Sequence, residues 1–278
     1  MRGLELIKVE GLGNDFLLLD RRDVSVEAIE AEVTTTLSRL APAVCHRRTG
    51  VGGDGILVLG PPRVAGHDAS MWVVNHDGSR PEMCGNGLRC VALVAAGVGR
   101  HVITVDTDAG PRRCEVIAAQ AEAGEVEVDM GPGRSLGERS PAAGEGRTFD
   151  AVSMGNPHAV AFVGAGEDPE ALARRIGPGV ERAREFPEGT NVELARVRDD
   201  GSVLLWVWER GCGITEACGT GACAAAVAGV RRGLLPADVP ITVELPGGPL
   251  EIRVPADLEV GVRMRGPARV VFRGRLAP

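Results

Sequence analysis

The stretch C-G-N-G (Cys84 to Gly87), which opens an apolar run over Gly85–Val98, determines the fold because it occurs twice. Its second copy is C-G-T-G (Cys218 to Gly221), which opens the apolar run Gly219–Val230. Both runs are rich in Ala, Val and Leu on nearly every face, and neither alternates like a half-exposed strand. Each run therefore predicts a helix that is buried on all sides.

Two further blocks flank the cysteine turns in the same order. Upstream, L-G-N-D (Leu12 to Asp15) resembles M-G-N-P (Met154 to Pro157). Downstream, I-T-V-D-T-D-A-G-P (Ile103 to Pro111) resembles I-T-V-E-L-P-G-G-P (Ile241 to Pro249). With 39 glycines in the chain, chance would readily explain one such pair. Three ordered pairs favour a duplicated domain instead.

The segments between these blocks are mostly short, rich in β-branched residues and typical of strands. The predicted strands are Leu4–Val9, Phe16–Leu19, Ile56–Leu59, Met71–Val74, Val102–Asp106, Val126–Met130, Val152–Met154, Ala159–Val163, Asn191–Val197, Val203–Val207, Ile241–Leu245, Val260–Met264 and Ala268–Phe272. Surface helices are predicted over Val26–Leu40 and over Asp168–Arg175, where Asp168 is the N-cap.

These elements predict an α/β (α+β) protein of two pseudo-symmetric domains. We expect each domain to be a mixed, mainly antiparallel β-sheet or barrel around a buried central helix. The expected domains are residues 1–120 and 121–265, and the last strand, residues 266–278, is expected to return to the first domain.

Composition excludes several functional classes. The net charge is −7 with no basic block, so we expect no nucleic-acid partner. No apolar run reaches about 18 residues, and the N-terminal residues lack an apolar stretch of signal length, which predicts a cytoplasmic protein without a membrane partner. The seven cysteines are then expected to be reduced thiols.

The two cysteines of the repeat are the candidate reactive groups. Each lies at or just before a helix N-terminus, where free N–H groups and the helix dipole favour a thiolate and can also bind a carboxylate. If the two halves face each other, one sulfur can remove a proton from a carbon acid and the other can return one to the opposite face. The predicted reaction is inversion of a carbon centre.

Pyridoxal phosphate is the usual means of acidifying the α-hydrogen of an amino acid, and it is held by lysine. Lys8 is the only lysine, and it lies in the predicted first strand. We therefore expect no cofactor, with helix dipoles and N–H donors stabilising the carbanion instead.

The other cysteines are interpreted as ordinary core residues: Cys45, Cys90, Cys114 and Cys223. A zinc site built from Cys212, Cys218 and Cys223 is an alternative, but the chain has no C-x-x-C pair to support it. We expect no metal.

The sequence closely resembles the diaminopimelate epimerase family of cofactor-independent amino-acid racemases over essentially its whole length. The motifs that carry the resemblance are G-L-G-N-D-F (Gly11 to Phe16), G-V-G-G-D-G (Gly50 to Gly55), N-H-D-G-S (Asn75 to Ser79), M-C-G-N-G-L-R-C (Met83 to Cys90), G-N-P-H (Gly155 to His158), Asn191 and E-R-G-C-G-I-T-E-A-C-G-T-G-A-C (Glu209 to Cys223). Proline racemases also have two cysteines, but they carry His where Asn86 stands here and lack the E-R-G block.

The resemblance implies that Cys84 and Cys218 are the catalytic thiol and thiolate. It implies that helix-terminal groups bind the carboxylate at the reacting centre: Gly85, Asn86, Gly219 and Thr220. The repeat-related pair, Asn14 and Asn156, is expected to line the site.

The distal end of the substrate is expected to be held by Asn75, Asn191 and Arg210, since a guanidinium can bind a carboxylate with two hydrogen bonds. His158 and Glu209 are expected to lie near the sulfurs and tune their charge, and Glu209 also counts among the substrate-binding residues. The implied reaction interconverts LL- and meso-2,6-diaminopimelate, a step towards lysine and peptidoglycan, in a homodimer.

Each assignment has a structural alternative. Asn14 and Asn156 could only cap turns, His158 could be a hydrogen-bonded core histidine, and Glu209 and Arg210 could form a surface pair. Strand alternation places the last two side chains on opposite faces, so at most one of them faces solvent freely.

Two features of function stay open. The substrate could be another amino acid, such as histidine or lysine. The protein could be an isomerase of the same fold that uses a carboxylate in place of the two thiols. It could also be a thiol-based redox or metal-binding protein. Three residues depart from the family pattern outside the central constellation: Gly55, Arg80 and Cys212.

Overall fold

The computed structural model describes residues 4–120 and 122–276, and the chain divides into two compact units. The first unit comprises Met1–Val128 and Gly266–Pro278, and the second comprises Asp129–Arg265. The sequence placed the junction at residues 120 and 121. The structural boundary lies later because β7 (Ala123–Asp129) forms a hairpin with β6 (Gly110–Gln120), and all of β7 except Asp129 belongs to the first unit.

The first unit is a closed barrel of eight strands. Neighbouring strands follow the order β1-β2-β3-β4-β5-β6-β7-β16, and β1 also pairs with β16. Besides β6 and β7, the strands are β1 (Glu5–Gly11), β2 (Asn14–Asp20), β3 (Gly55–Gly60), β4 (Ala69–Asn75), β5 (Gly99–Thr107) and the part of β16 (Arg263–Arg275) from Gly266 onward. The helices are α1 (Val26–Glu32), which continues through a π-helical turn (Val33–Leu37) into α2 (Ser38–Val44), and α3 (Gly85–Ala96).

The second unit contains a sheet in the order β8-β9-β10-β11-β12-β14-β15-β16, and β13 pairs with β12. Its strands are β8 (Arg134–Arg139), β9 (Phe149–Ser153), β10 (Pro157–Phe162), β11 (Asn191–Val197), β12 (Val203–Glu209), β13 (Gly213–Ile214), β14 (Pro240–Leu245), β15 (Gly248–Arg253) and the first residues of β16. Its helices are a short 3₁₀ turn (Ala142–Gly144), α4 (Pro169–Glu181) and α5 (Gly219–Arg231).

The two units repeat the same strand pairing. In the first unit β2–β3 and β4–β5 are parallel, and in the second β10–β11 and β12–β14 are parallel. The antiparallel pairs β1–β2, β3–β4 and β5–β6 correspond to β9–β10, β11–β12 and β14–β15. The predicted pseudo-symmetric, mixed and mainly antiparallel fold is confirmed, and the repeat extends to residue register.

The strand register shows which residue of the first unit corresponds to which residue of the second. Phe16 pairs with Gly55 across β2 and β3, as His158 pairs with Asn191 across β10 and β11. Gly55 pairs with Asn75 across β3 and β4. In the second unit Val192 pairs with Trp208, so the preceding residue, Asn191, lies opposite Glu209. The repeat therefore relates Phe16 to His158, Gly55 to Asn191, and Asn75 to Glu209.

The two central helices begin in the same way. The sulfur of the N-cap Cys84 accepts a hydrogen bond from the Gly87 amide at 3.4 Å, and the sulfur of the N-cap Cys218 accepts one from the Gly221 amide at 3.4 Å. Nearly all of α5 and the first nine residues of α3 are buried. Small residues allow this enclosure, since a Cβ on Gly229 would lie 2.4 Å from the Leu235 side chain.

Several predicted elements have different limits. Val260–Met264 and Ala268–Phe272 were predicted as separate strands, but the strand begins at Arg263 and runs on to Arg275 as β16. The predicted helix Asp168–Arg175 continues to Glu181 through Gly177 and Pro178, because its apolar face, including Ile176 and Val180, is buried. Within residues 4–120 and 122–276, no helix is long and apolar enough to cross a membrane.

Candidate active site

The Cys84 turn includes a cysteine sulfur hydrogen-bonded to a backbone amide and a pair of asparagine side chains. Cys84 has an extended backbone, so its sulfur can turn back over the first turn of α3 and accept the Gly87 N–H. A Cβ on Gly87 would lie 2.8 Å from a methyl group of Leu57, so the helix packs directly on β3. Asn86, in this first turn, donates from Nδ2 to Oδ1 of Asn14 at 3.3 Å.

Two further residues fix this pair of amides. Asp54 accepts a hydrogen bond from Asn14 Nδ2 at 2.5 Å and one from the Asp15 backbone at 3.0 Å. Arg89, which is fully buried, donates to Oδ1 of Asn86 at 2.9 Å. The sequence prediction brought Asn14 and Asn86 to one site, and the structure places them in hydrogen-bond contact.

The Cys218 turn lies among acidic and polar groups. Cys218 is buried, its sulfur lies 3.6 Å from the Thr220 hydroxyl, and the Glu209 carboxyl group is near enough to interact electrostatically with the thiol. The Thr215 hydroxyl donates to Oε1 of Glu209 at 2.5 Å and fixes the carboxyl group at the end of β12. Here Glu209 forms no surface pair with Arg210, because its carboxyl group points to Thr215 and Cys218.

Burial and charge set the protonation of this turn. Burial is the largest cause that raises the pKa of Glu209 above its ordinary value, and hydrogen bonds from Thr215 and Cys218 oppose it. Burial also raises the pKa of Cys218 well above its ordinary value, and the negative charges of Glu209 and Glu193 add to that rise. The arrangement therefore favours a neutral thiol at Cys218 when no ligand is bound.

His158 has both ring nitrogens hydrogen-bonded inside the second unit. Nδ1 lies 2.7 Å from Oε1 of Glu193, and both side chains are fully buried. Nε2 lies 2.9 Å from Oδ1 of Asn156, whose Nδ2 donates to the Thr220 hydroxyl at 3.4 Å. The core-histidine alternative also predicts a fully bonded ring, but these partners connect His158 to the Cys218 turn.

The three residues predicted to hold the distal substrate end are positioned in different ways. Asn191 donates to the Pro157 carbonyl at 3.0 Å and accepts from the Arg210 backbone at 2.9 Å, so it fixes the turn that carries Arg210. The exposed Arg210 guanidinium donates to the Glu188 carbonyl at 3.0 Å. In the first unit, Asn75 donates to the Ser79 hydroxyl at 2.9 Å.

Sequence reasoning did not single out four residues that hold the candidate groups in place: Asp54, Arg89, Glu193 and Thr215. Asp54, Arg89 and Thr215 lie inside the motifs that carry the family resemblance, and that position could have marked them as candidate site residues. Glu193 could have been noticed as the one charged residue between Val192 and Leu194 in a predicted strand. The structure shows that the first five residues of this strand are all buried.

The departures from the family pattern lie outside these contacts. A Cβ on Gly55 would lie 2.5 Å from the Val74 carbonyl, so β3 leaves no room for a side chain there. Arg80 pairs with Glu30 and Asp108 on the first unit, and Cys212 is exposed. Among the residues described, three or more His, Cys, Asp or Glu side chains never cluster as a metal site would require.

The chain matches a known family model along most of its length. The profile of the family described as diaminopimelate epimerase matches residues 6–136 and 150–271. A diaminopimelate epimerase from Desulforudis audaxviator is 44% identical over 290 residues, covering 98% of this chain and 99% of the relative. One from Desulfitobacterium hafniense is 41% identical over 291 residues, covering 98% of each chain.

Solved structures share the fold at much lower identity. A probable proline racemase from Agrobacterium radiobacter has a TM-score of 0.75 at 17% identity, covering 99% of this chain and 93% of that one. A hydroxyproline epimerase from Agrobacterium vitis has a TM-score of 0.74 at 17% identity, covering 100% of this chain and 94% of that one. At these identities the likeness concerns the fold alone.

Proposed function

Since the chain belongs to the diaminopimelate epimerase family, we propose that it interconverts LL- and meso-2,6-diaminopimelate by proton transfer at one α-carbon. The single observation that carries the proposal is the paired turn, in which a cysteine caps a buried helix through its own sulfur in each unit. Full-length identity above 40% to diaminopimelate epimerases supports the substrate. The reaction is a step towards lysine and peptidoglycan.

Cys84 and Cys218 act as the two acid–base groups of this proposal. One sulfur, as thiolate, takes the α-hydrogen, and the other, as thiol, gives its hydrogen to the opposite face of the carbanion. The first cysteine ends as thiol and the second as thiolate, so the enzyme is ready for the reverse reaction. The raised pKa of Cys218 favours Cys218 as the resting thiol, and Cys84 then starts as the base.

The substrate carboxylate at the reacting carbon is bound by the free N–H groups at the two helix N-termini. These donors belong to Gly85 and Asn86 in one unit, and to Gly219 and Thr220 in the other. Asn14 and Asn156 line the same region. His158 and Glu209 set the charge of the sulfur, as the contacts of the Cys218 turn support.

Asn75, Asn191 and Arg210 bind the distal, non-reacting amino-acid end. A second carboxylate there suits a guanidinium, and this is the feature that separates diaminopimelate from simpler amino acids. A two-cysteine racemase for another amino acid would not need all three residues.

Turnover in D₂O tests this function. We expect purified enzyme under reducing conditions to convert LL-diaminopimelate into meso product that carries one solvent deuterium at the inverted carbon, measured by mass spectrometry at early times. Histidine, lysine and alanine should acquire none. Exchange into a simple amino acid with none into diaminopimelate would contradict the proposed substrate.

The resemblance also supports a homodimer in the cytoplasm. Light scattering under reducing conditions is expected to give twice the 29.0 kDa chain mass. A mass of one chain at assay concentration would contradict the homodimer and leave the proposed reaction untouched.

A further inference from the structure

The buried carboxylate of Glu193 has no role in the reaction as proposed above. Its side chain is fully buried on β11, and its Oε1 is within 2.7 Å of His158 Nδ1. Its second oxygen, Oε2, has no hydrogen-bond partner among the described residues. Burying a carboxylate with an unpaired oxygen is costly, so the contact with His158 is the feature that explains this residue.

We propose that Glu193 is a positioning residue for the Cys218 sulfur. It acts on the sulfur through a chain of hydrogen bonds in which the donor and the acceptor of each link are fixed. The chain runs from Glu193 through His158, Asn156 and Thr220 to Cys218. The link to catalysis rests on the proposed function, whereas the chain itself concerns only the second unit.

The first links fix where the hydrogens lie. Oδ1 of Asn156 can only accept, so the His158 Nε2 that contacts it at 2.9 Å carries a hydrogen. A carboxylate oxygen and a bare Nδ1 would repel each other at 2.7 Å, so one proton also lies between Glu193 and Nδ1. Glu193 thus keeps a proton on the pair and keeps Nε2–H directed at Asn156.

The last two hydrogen bonds of the chain join Asn156 to Thr220 and Thr220 to the Cys218 sulfur. With its oxygen held by His158, Asn156 presents its NH₂ group to the Thr220 hydroxyl oxygen at 3.4 Å. Because that oxygen accepts from Asn156, the Thr220 hydroxyl hydrogen is available to the Cys218 sulfur 3.6 Å away. A hydrogen bond donated to sulfur stabilises the thiolate, which opposes the effects of burial and of nearby carboxylates.

The repeat provides an internal comparison. The positions that correspond to His158 and Glu193 in the first unit are Phe16 and Leu57. A Cβ on Gly87 would lie 2.8 Å from Leu57, as one on Gly221 would lie 2.9 Å from Glu193. The same backbone therefore holds this position with an apolar side chain. A Glu193→Leu substitution therefore introduces the side chain that the first unit has at this position.

The test is the pH dependence of Cys218 alkylation by iodoacetamide, followed by peptide mapping. The titratable groups that face Cys218 are Glu209 on β12 and Glu193 on β11, and His158 on β10 adjoins Glu193. In E193L we expect the midpoint of alkylation to rise by about one pH unit, because the hydrogen bond from Thr220 is lost while the Glu193 charge that is removed was already offset by the proton shared with His158. If Glu193 acted only as a nearby negative charge, the midpoint would fall, and that sign would overturn the proposal.

Further variants test the chain at other links. Thr220→Val should raise the midpoint as E193L does, and the double variant should add little to either change. Glu193→Gln should shift the midpoint less, because its amide can donate to Nδ1 and preserve the hydrogen on Nε2. Should E193L be unstable, Asn156→Leu breaks the chain further on and is expected to give the same rise. Additive shifts, or none, would contradict the chain.

Asp106→Asn is the matched control. Asp106 is a buried carboxylate of the first unit that pairs with the partly exposed His67 at 2.6 Å. D106N should leave the Cys218 midpoint and kcat unchanged, whereas E193L should lower kcat about tenfold with little change in KM. Alkylation needs no turnover, so a failure of this chain is distinguishable from a failure of the epimerase assignment.

Discussion

The two cysteine turns share a backbone but differ in what surrounds the sulfur. At corresponding positions the first unit has Phe16, Leu57 and Asn75, and the second has His158, Glu193 and Glu209. At each of these three positions the first unit has an apolar or amide side chain, and the second unit has a titratable one.

This difference shows how duplication can give two related turns different chemical roles. A reaction that removes a proton with one group and returns it with another needs an acid and a base at the same time. Burial and the carboxylates of Glu209 and Glu193 shift the equilibrium of the Cys218 sulfur towards the thiol, while the helix-capping geometry stays common to both turns. Substitutions at the two turns test this asymmetry.

Removing either sulfur should abolish epimerisation. We expect Cys84→Ala and Cys218→Ala each to lower kcat by roughly 10³-fold, because the proposed mechanism assigns one of the two proton transfers to each group. The measurement is turnover of LL-diaminopimelate, with Cys212→Ser as the exposed-thiol control. Near-normal turnover in either alanine variant would exclude the two-thiol mechanism.

Removing the charge of Glu209 should be the next largest change. We expect Glu209→Gln to lower kcat roughly 100-fold and to move the alkylation midpoint of Cys218 to lower pH, because the charge of Glu209 raises the pKa of Cys218. Glu244→Gln, which removes a half-exposed carboxylate paired with Arg198, should change neither. An upward midpoint shift in E209Q would refute this electrostatic role.

The equivalent glycines of the two helices should differ in their tolerance of a methyl group. A Cβ on Gly221 would lie 2.9 Å from Oε1 of Glu193, whereas one on Gly87 would meet a movable methyl of Leu57. We expect Gly221→Ala to lower kcat about tenfold, and Gly87→Ala to keep kcat within about threefold of the wild type. Equal losses in both variants would show that packing alone, rather than the carboxylate, matters at this position.

Protonation of Glu209 should have a smaller effect, which is measured as the pH dependence of the free energy of unfolding. Burial raises the pKa of Glu209 above 4.5, so the folded chain holds this proton more tightly than the unfolded chain. The associated stability is complete below pH 4.5 and is lost as pH rises through the raised value. In urea unfolding, we therefore expect E209Q to gain stability relative to the wild type with rising pH, on the order of 1 kcal/mol. A constant difference would contradict this.

Sequence patterns predicted the core of the fold but not its polar hairpins. The β-branched runs gave most strands, and the two cysteine runs gave both central helices. The strands β6, β8 and β15 were missed because they carry Arg, Glu, Pro and Gly, and β8 is largely exposed. These strands form because hairpin partners supply their hydrogen bonds, which a single-strand pattern does not encode.

The candidate site was predictable where short motifs carried it. Cys84, Cys218, Asn86 and Thr220 follow from the helix-capping turns. The contact of Glu193 with His158 joins two parallel strands that are distant in the chain, and its meaning depends on register. Register between non-local strands follows from the assembled sheet, so this part of the site required the structure.

The barrel closure by β16 affects how the protein is made. The first seven strands of the first unit are synthesised early, but the strand that pairs with β1 follows the whole second unit. Until β16 emerges from the ribosome, the nascent sheet has two open edges, which are prone to pair with other chains. A strand translated after the whole second unit is thus the one that covers the open edge of β1.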